Sequence, residues 1–217
     1  MNATITSTAH YVPKKVLTNS DLEKLVDTSD EWIKSRVGSN QRHVVSDGEA
    51  SSDMSTKVAH SLLEKRGISA ANIDVIIIGT VTPDYPTPST AAIVQNNINA
   101  ENAWAFDLSA ACSGFLYALE TGAKFIESGQ YKTIMVIGVD TMTSILDFED
   151  RETCIIFGDG AGGVILEASK SNTGILGSVL KTDGSGAESL NVLAGGSKYP
   201  ASLATIKNRQ HYIKQDG

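Results

Sequence analysis

Cys112 lies where a nucleophile can be activated. The segment AFDLSAACSGFLYAL at 105–119 passes from an apolar run ending at Leu108, through small residues, into a helical pattern that begins at Cys112. A thiol at a helix N-terminus faces unpaired N–H groups and the positive end of the helix dipole, which favour the thiolate. The same N–H groups suit the oxyanion of acyl transfer. The spacing also fits a buried structural cysteine, which is the commoner case.

Trp32, Arg36 and Arg151 are residues of types that bind flat rings and phosphates. Trp32 and Arg36 are four positions apart in a predicted helix, so their side chains share one face and can sandwich a heteroaromatic ring. The same spacing fits an ordinary surface cation–π contact within the helix. Arg151, in FEDRETC, fits either a phosphate or adenine contact or an exposed arginine among acids. Neither feature by itself decides between a ligand-binding role and an ordinary surface contact.

Other ligand classes are excluded by spacing. Gly158, Gly160 and Gly163 satisfy G-x-G-x-x-G, but VILEAS follows them and predicts a strand, whereas a dinucleotide-binding turn must open a helix. These glycines predict a tight turn between two strands with close backbone approach. No phosphate loop is predicted, since no G-K-[ST] follows. The four histidines, which lack the spacing of metal ligands, are His10, His43, His60 and His211. No metal site is therefore predicted.

Composition excludes several protein classes. The chain has 217 residues, with 18 Lys and Arg against 25 Asp and Glu, a net charge of −7. Without a concentrated basic face, nucleic acid is a poor partner. The apolar runs at 75–78 and 134–137 fall far short of the roughly 20 residues that span a bilayer. With no secretory signal and only two cysteines, the chain is predicted to be cytoplasmic.

The pattern of apolar residues predicts an α/β fold. Short runs rich in β-branched residues are separated by helical patterns, which is typical of buried strands in a parallel sheet. The predicted strands are 4–7, 75–80, 104–108, 133–139, 154–157 and 163–167.

Two short surface helices are predicted near the N-terminus. The first is capped by Asn19 or Ser20 and ends at Leu25, and the second is capped by Ser29 and carries Trp32.

Two longer helices are predicted to pack on the sheet. The first, 52–66, is amphipathic and ends at Gly67. The second, 112–128, is apolar around most of its circumference, which predicts a buried helix. TPDYPTP at 82–88 predicts a stiff, extended connection. After Ala168 the chain is rich in glycine and serine, which predicts turns and excursions.

Four motifs together suggest a family. They are TSDEWIKSRVG at 28–38, QRH at 41–43, DLSAACSGF at 107–115 and DRETCIIFGDGAG at 150–162. With these motifs the chain resembles β-ketoacyl-acyl carrier protein synthase III, the initiating condensing enzyme of type II fatty acid synthesis. The order and spacing of the resemblance are nearly unbroken from residue 1 to residue 217.

The resemblance implies a thiolase-like fold, a layered α-β-α arrangement with a five-stranded mixed sheet and two pseudo-symmetric halves. Residues 1–170 would form the first half, and residues 171–217 a strand and loop excursion that leads to the second. A homodimer across the first half is also implied.

The resemblance further implies a ping-pong reaction without a tightly bound cofactor. A thiolate takes an acyl group, usually acetyl, from its coenzyme A ester. Malonyl-acyl carrier protein then loses carbon dioxide, and its carbanion attacks the acyl-cysteine to release acetoacetyl-acyl carrier protein.

Individual roles follow by matching positions. The resemblance makes Cys112 the nucleophile, with Trp32 and Arg151 around the adenine ring. The full set of residues implied for coenzyme A is Thr28, Trp32, Arg36, Arg151, Ile156 and Phe157. The last two would line the tunnel for the pantetheine arm.

Three departures qualify the match. The decarboxylating His and Asn of the family fall beyond Gly217, so we expect this chain by itself to be a fragment that does not catalyse condensation. Ser39 stands where the family usually has a branched aliphatic residue, which alters local packing. Thr87 replaces a bulky aromatic residue, which leaves room for a primer larger than acetyl.

Two further hypotheses stay open at this point. The chain could be a non-catalytic module for coenzyme A binding or dimerisation, or a condensing enzyme of secondary metabolism with the same fold. Likeness of fold does not separate these from the first hypothesis.

Overall fold

The computed structural model describes residues 2–171 and 173–216. The chain forms two compact units, each assembled from separate stretches of sequence. The first unit comprises Met1–Pro13, Ser46–Asp140 and Gly160–Leu180. The stretches of the second unit are Lys14–Val45, Thr141–Asp159 and Lys181–Gly217. The predicted division at residue 170 stays a prediction.

The strands and helices alternate along most of the chain. The strands are β1 Asn2–Tyr11, β2 Lys15–Thr18, β3 Gln41–Val44, β4 Val75–Gly79, β5 Trp104–Leu108, β6 Thr133–Thr141, β7 Asp159–Ser169, β8 Leu190–Val192 and β9 Ile213–Gln215. The helices are α1 Asn19–Leu22, α2 Asp30–Arg36, α3 Ser51–Arg66, α4 Thr90–Asn97, α5 Gly114–Glu127, α6 Arg151–Cys154 and α7 Leu203–Lys207.

A five-stranded mixed sheet forms the first unit, as predicted. The strand order is β1-β7-β6-β4-β5, with β4 parallel to both neighbours and β1 antiparallel to β7. All five residues of β4 are buried, since this strand is covered on both faces. Ile77 packs in a cluster with Ala118 and Ile126 of α5. A Cβ on Gly163 would instead meet Ile137 and Val58 of α3, so the two helices cover opposite faces.

Helix α3 confirms the predicted amphipathic helix and its end. Gly67 adopts the left-handed conformation at φ 70, where a side chain is disfavoured. At the other end, the Asp84 carboxylate accepts hydrogen bonds from the Ser52 amide at 2.8 Å and the Ser52 hydroxyl at 2.6 Å. The proline-rich segment thus fixes the start of α3. It also contains a cis peptide bond before Pro88.

The second unit is built on two strand pairs and a small apolar cluster. β2 pairs with β3, and β8 with β9, both antiparallel. The buried cluster consists of Leu22, Ile33, Cys154 and Ile155. Ser29 caps α2 as predicted, accepting a hydrogen bond from the Trp32 amide at 3.1 Å.

Helix α1 runs from Asn19 to Leu22, so both predicted cap residues lie inside the helix and the predicted end at Leu25 is wrong. Thr18 is the N-cap, and its hydroxyl and the Asp21 carboxylate bond to each other's backbone amides. The Asn19 side-chain oxygen is unavailable for capping, because it accepts a hydrogen bond from the Arg42 guanidinium at 2.7 Å.

The predicted strand at 154–157 is wrong. This stretch begins at the last residue of the short helix α6, whose N-cap Asp150 accepts a hydrogen bond from the Glu152 amide at 3.1 Å. Cys154 and Ile155 are buried in the apolar cluster of the second unit, which explains their apolar character without a strand.

The glycine motif lies mostly within β7, and not in a turn between two strands. The expected close backbone approach is nevertheless present at two positions. A Cβ on Gly163 would lie 2.8 Å from the Val136 carbonyl oxygen, and one on Gly158 would lie 3.0 Å from the His43 carbonyl oxygen.

Substitution of Gly163 by alanine should destabilise the sheet. The added methyl group would meet a backbone oxygen that cannot move aside, so we expect Gly163→Ala to lower the free energy of unfolding by about 2 kcal/mol or more. Gly162→Ala is the matched control, since its nearest contact is the Ala9 carbonyl oxygen at 3.8 Å. Urea titrations followed by circular dichroism measure both. Equal midpoints for the two variants would contradict the close packing.

Candidate active site

Cys112 lies at the junction of β5 and α5 in the first unit. It is exposed, in a single turn of 3₁₀ helix at Ala111–Ser113, and α5 begins two residues later, at Gly114. Ala111 has φ 46, a left-handed conformation that costs a non-glycine residue about 1–3 kcal/mol. Because Cys112 is exposed, the alternative prediction of a buried structural cysteine is wrong.

The start of α5 is held against the sheet by close contacts at glycines. A Cβ on Gly79, the last residue of β4, would lie 2.8 Å from the Gly114 carbonyl carbon. One on Gly138 in β6 would lie 3.1 Å from the Phe115 Cβ. The carboxyl end of the sheet thus fixes the helix N-terminus next to Cys112. Ser113, the N-cap, makes no side-chain cap hydrogen bond there.

Helix α5 is less completely buried than the sequence predicted. Its buried residues are Gly114, Ala118, Gly122, Ala123 and Ile126. Leu116 is 56% exposed, so an apolar residue of this helix faces outward. The small residues and glycines of α5 allow it to pack closely on the sheet. They do not require the opposite face of the helix to be buried as well.

Two aspartates organise the loops at the same end of the sheet. Asp140 in β6 accepts hydrogen bonds from the Val81 amide at 2.8 Å and the Thr80 hydroxyl at 3.0 Å. Asp107 in β5 accepts from the Thr90 and Ala91 amides at 2.7 and 2.8 Å, at the start of α4. Sequence reasoning missed these residues, although an acid that closes an apolar strand was a usable signal.

The other thiol has the opposite environment. Cys154, in the second unit, is fully buried, and burial, reinforced by the Asp150 charge, raises the pKa of its thiol. A raised pKa keeps this sulfur protonated and unreactive at neutral pH.

A cleft of about 340 Å³ lies within the second unit. Its lining residues are Trp32, Val37, Arg151, Glu152, Ile155, Ile156 and Gln215. The Arg151 guanidinium stacks on the Trp32 indole, 4.3 Å from the ring centroid, in a cation–π contact. The cleft therefore combines an aromatic platform with a cation.

The structure brings together some of the predicted coenzyme A residues. Trp32, Arg151 and Ile156 line one cleft. Arg36 is exposed, and the cation on the Trp32 indole is Arg151 and not Arg36 as the helical spacing suggested.

Three of the predicted residues, Thr28, Arg36 and Phe157, do not line this cleft. Phe157 is half-buried, and the Thr28 hydroxyl is buried without a hydrogen-bond partner. Glu152 and Gln215 line the cleft and were missed, because only the folded chain places them near Trp32.

A buried arginine supports the cleft. The Arg42 guanidinium donates to the Ile155 carbonyl at 2.6 Å, the Ser39 hydroxyl at 2.8 Å and the Asn19 side chain at 2.7 Å. Burial lowers the pKa of Arg42. Ser39, which departs from the resembled family, thus serves as an acceptor for this arginine. The contacts tie β3 to the turn that follows α6.

Residues 2–171 and 173–216 contain neither a metal-binding cluster nor a membrane-spanning helix. No group of three or more His, Cys, Asp or Glu side chains in this part of the chain is placed to hold a metal ion. None of its helices is both long and apolar enough to cross a bilayer.

Comparisons with known proteins agree on one family. A family model described as 3-oxoacyl-[acyl-carrier-protein (ACP)] synthase III matches residues 106–184. Over 220 aligned positions, β-ketoacyl-[acyl-carrier-protein] synthase III proteins of Chlorobaculum tepidum and Chlorobium chlorochromatii are 56% and 54% identical to the chain. Each match covers 100% of this chain and 67% of the relative.

A solved structure supports the same grouping. The crystal structure of 3-oxoacyl-[acyl-carrier-protein] synthase III from Aquifex aeolicus VF5 matches with a TM-score of 0.88 at 41% identity. The match covers 99% of this chain and 65% of that one. The chain spans about two thirds of the length of its relatives. The thiolase-like fold inferred from the sequence is confirmed by this match.

The two thiols should differ sharply in reactivity. Iodoacetamide at pH 7.5 should alkylate Cys112 and spare Cys154, because the buried thiol is reached only through opening of the second unit. We expect a rate difference of about 100-fold or more, read by peptide mass spectrometry. Both should react in 6 M guanidinium chloride. Comparable rates in the native protein would contradict the assignment of the exposed thiol.

Proposed function

The chain belongs to the 3-oxoacyl-[acyl-carrier-protein] synthase III family, and from this premise we propose that it supplies the acyl-accepting thiol and the coenzyme A cleft of a condensing enzyme. The reaction proposed is the condensation of acetyl-coenzyme A, or another short acyl-coenzyme A, with malonyl-acyl carrier protein, which initiates fatty acid synthesis. The observation that carries the proposal is the exposed Cys112 between the end of β5 and the start of α5.

The first chemical step is transfer of the acyl group to Cys112. The thiolate attacks the carbonyl carbon of the coenzyme A thioester, and the carbonyl π electrons move to oxygen. Collapse of this oxyanion re-forms the carbonyl and expels the coenzyme A thiolate, which takes a proton from water. The 14 residues of α5 direct the positive end of the helix dipole toward this region, which favours the oxyanion.

The cleft in the second unit is proposed to bind the nucleotide end of coenzyme A. An adenine ring between Trp32 and Arg151 needs about 7 Å, two stacking distances of roughly 3.5 Å each. Arg151 lies 4.3 Å from the indole centroid and would move outward to admit the ring. Roles for Thr28, Arg36, Ile156 and Phe157 along coenzyme A rest on the family resemblance and are part of the proposal.

A homodimer across β5 is also proposed. β5 is an edge strand of the five-stranded sheet, with unpaired backbone groups that suit a second strand. Trp104 at its start is 42% exposed and contacts Phe106, Phe125 and Tyr131 in an aromatic cluster. An exposed aromatic surface beside a free strand edge supports pairing with the same strand of another copy.

A cytoplasmic setting belongs to the same proposal. Neither Cys112 nor Cys154 forms a disulfide, which is the usual state in a reducing compartment.

Acylation of the thiol is the direct test. Incubation with ¹⁴C-acetyl-coenzyme A should place one label per chain on Cys112, located by peptide mass spectrometry. Cys112→Ala should abolish labelling and leave coenzyme A binding intact. Saturable binding without any label in the unmodified chain would instead favour a coenzyme A-binding module.

The aromatic platform gives a second test of the same proposal. Trp32→Ala should raise the acetyl-coenzyme A concentration for half-maximal labelling about tenfold, since base–aromatic stacking contributes about 1–3 kcal/mol. Leu25→Ala is the control, because Leu25 is exposed and does not line the cleft. An unchanged concentration for Trp32→Ala would contradict stacking on Trp32.

The dimer proposal has its own test. Trp104→Asp places a charge at the free edge of β5 and should shift the protein toward monomer in light scattering after size exclusion. Leu203→Asp is the control, since Leu203 is 88% exposed but lies on α7 in the other unit. A monomeric unmodified chain, or equal effects of both substitutions, would contradict an interface at β5.

A further inference from the structure

The residues 209–215, here called the strap, are tied by ion pairs to the loop before α6. Arg209 donates to both carboxylate oxygens of Asp147, with Nε at 2.8 Å from Oδ2. Lys214 Nζ lies 2.9 Å from Asp150 Oδ2. The carboxylates are mostly buried, with Asp147 5% and Asp150 16% exposed, so both pairs are better shielded from water than ordinary surface pairs.

Asp150 connects two parts of the cleft lining. Its Oδ1 accepts the Glu152 amide at 3.1 Å and so caps α6, whose first residue is Arg151. Its Oδ2 holds Lys214 in β9, and the next residue, Gln215, lines the cleft. One carboxylate therefore positions both the cation that stacks on the indole and the strand that carries Gln215.

Few backbone contacts hold the strap: besides the β8–β9 pairing, the Ala194 amide donates to the Gln210 carbonyl at 2.9 Å and the Asp216 amide to the Ser189 carbonyl at 2.8 Å. β9 has three residues and pairs with β8, which is equally short. Arg209 adopts a left-handed conformation at φ 55, which is unfavourable for a non-glycine residue. Short, exposed strand pairs open easily. The position of Gln215 should consequently depend on the ion pairs to Asp147 and Asp150.

We propose that Asp147 and Asp150 are positioning residues for ligand binding, and that they act by holding the strap so that the Gln215 amide contacts the ligand in the cleft. This inference rests on the proposed function, because the ligand is the nucleotide end of coenzyme A. The Gln215 side chain offers both donor and acceptor groups to adenine or phosphate oxygens. Acyl transfer to Cys112, once the ligand is bound, does not require the strap.

The direction in which Asp150→Asn changes ligand affinity distinguishes a positioning effect from a charge effect. Asp150→Asn removes a negative charge near the cleft and leaves Lys214 unpaired, so Coulomb attraction to a polyanionic ligand predicts tighter binding. Asparagine is also a good N-cap, so α6 keeps its cap. Loss of the strap predicts weaker binding. The two effects therefore have opposite directions.

The experiment uses the fluorescence of Trp32 as the reporter. The chain has two tryptophans, so Trp104→Phe leaves Trp32 as the only one. In this background, coenzyme A titrations should show Asp150→Asn weakening the Kd by about 5–10-fold, which corresponds to roughly 1–1.4 kcal/mol. Lys214→Arg should retain the unmodified Kd, because a guanidinium at this position keeps the ion pair with Asp150.

Two further variants complete the design. Gln215→Ala should weaken binding by a similar factor, and adding Asp150→Asn to it should cause little further loss if both act through the same contact. Glu149→Gln is the charge control, since this carboxylate is 82% exposed and lies 3.3 Å from Arg209. It removes the same charge from the same loop and should leave the Kd within about twofold, or tighten it.

Hydrogen exchange provides a readout that does not use the ligand. The amides of 213–215 should exchange faster in Asp150→Asn than in Glu149→Gln. A Kd for Asp150→Asn that is unchanged or tighter, or exchange equal to that of the control, would overturn the inference and leave the proposed function standing. If the chain without substitutions at the cleft shows no saturable quenching of Trp32 fluorescence by coenzyme A, the proposed function is overturned, and the inference with it.

Discussion

The close approach of α5 to the sheet is the constraint on which the placement of Cys112 depends. At Gly79 and Gly138 the sheet presents hydrogen atoms where other residues would present side chains, so the helix N-terminus lies directly against β4 and β6. Any larger residue at Gly79 would meet backbone atoms of the helix and displace it. Asp107 and Asp140 then fix the neighbouring loops with hydrogen bonds to backbone amides. The reactive sulfur is thus positioned mainly by backbone contacts.

In the second unit, the cleft is bounded by short elements that would be mobile alone, so side-chain contacts must hold them in place. A buried guanidinium, that of Arg42, binds three acceptors from separate parts of the chain. Because removal of one partner would leave a charge buried and incompletely solvated, such a network strongly specifies the arrangement of its members. The turn after α6, which carries Ile155, is held in this way.

Local signals in the sequence predicted the elements that depend on local physics. The strand at 104–108, the Ser29 cap and the glycine stop at Gly67 follow from periodicity, capping chemistry and left-handed backbone. Features with distant partners were not predictable. Helix α4 is short, and beyond its local N-cap Ser89 its first amide donates to Asp107, 17 positions from Thr90. The CIIF run was assigned to a strand because apolar character does not reveal whether a core lies beside a strand or a turn.

The stacking of Arg151 on Trp32 has a thermodynamic consequence for recognition. The indole face is already covered by a guanidinium, so a planar ring that enters the cleft exchanges one stacking partner for another. Little additional indole area leaves water in that exchange, so the heat-capacity change of association at this point should come mainly from the two faces of the entering ring. Selectivity among flat ligands would then come from how well each competes with a cation for the ring, which favours electron-poor, hydrogen-bonding heterocycles over plain hydrocarbons.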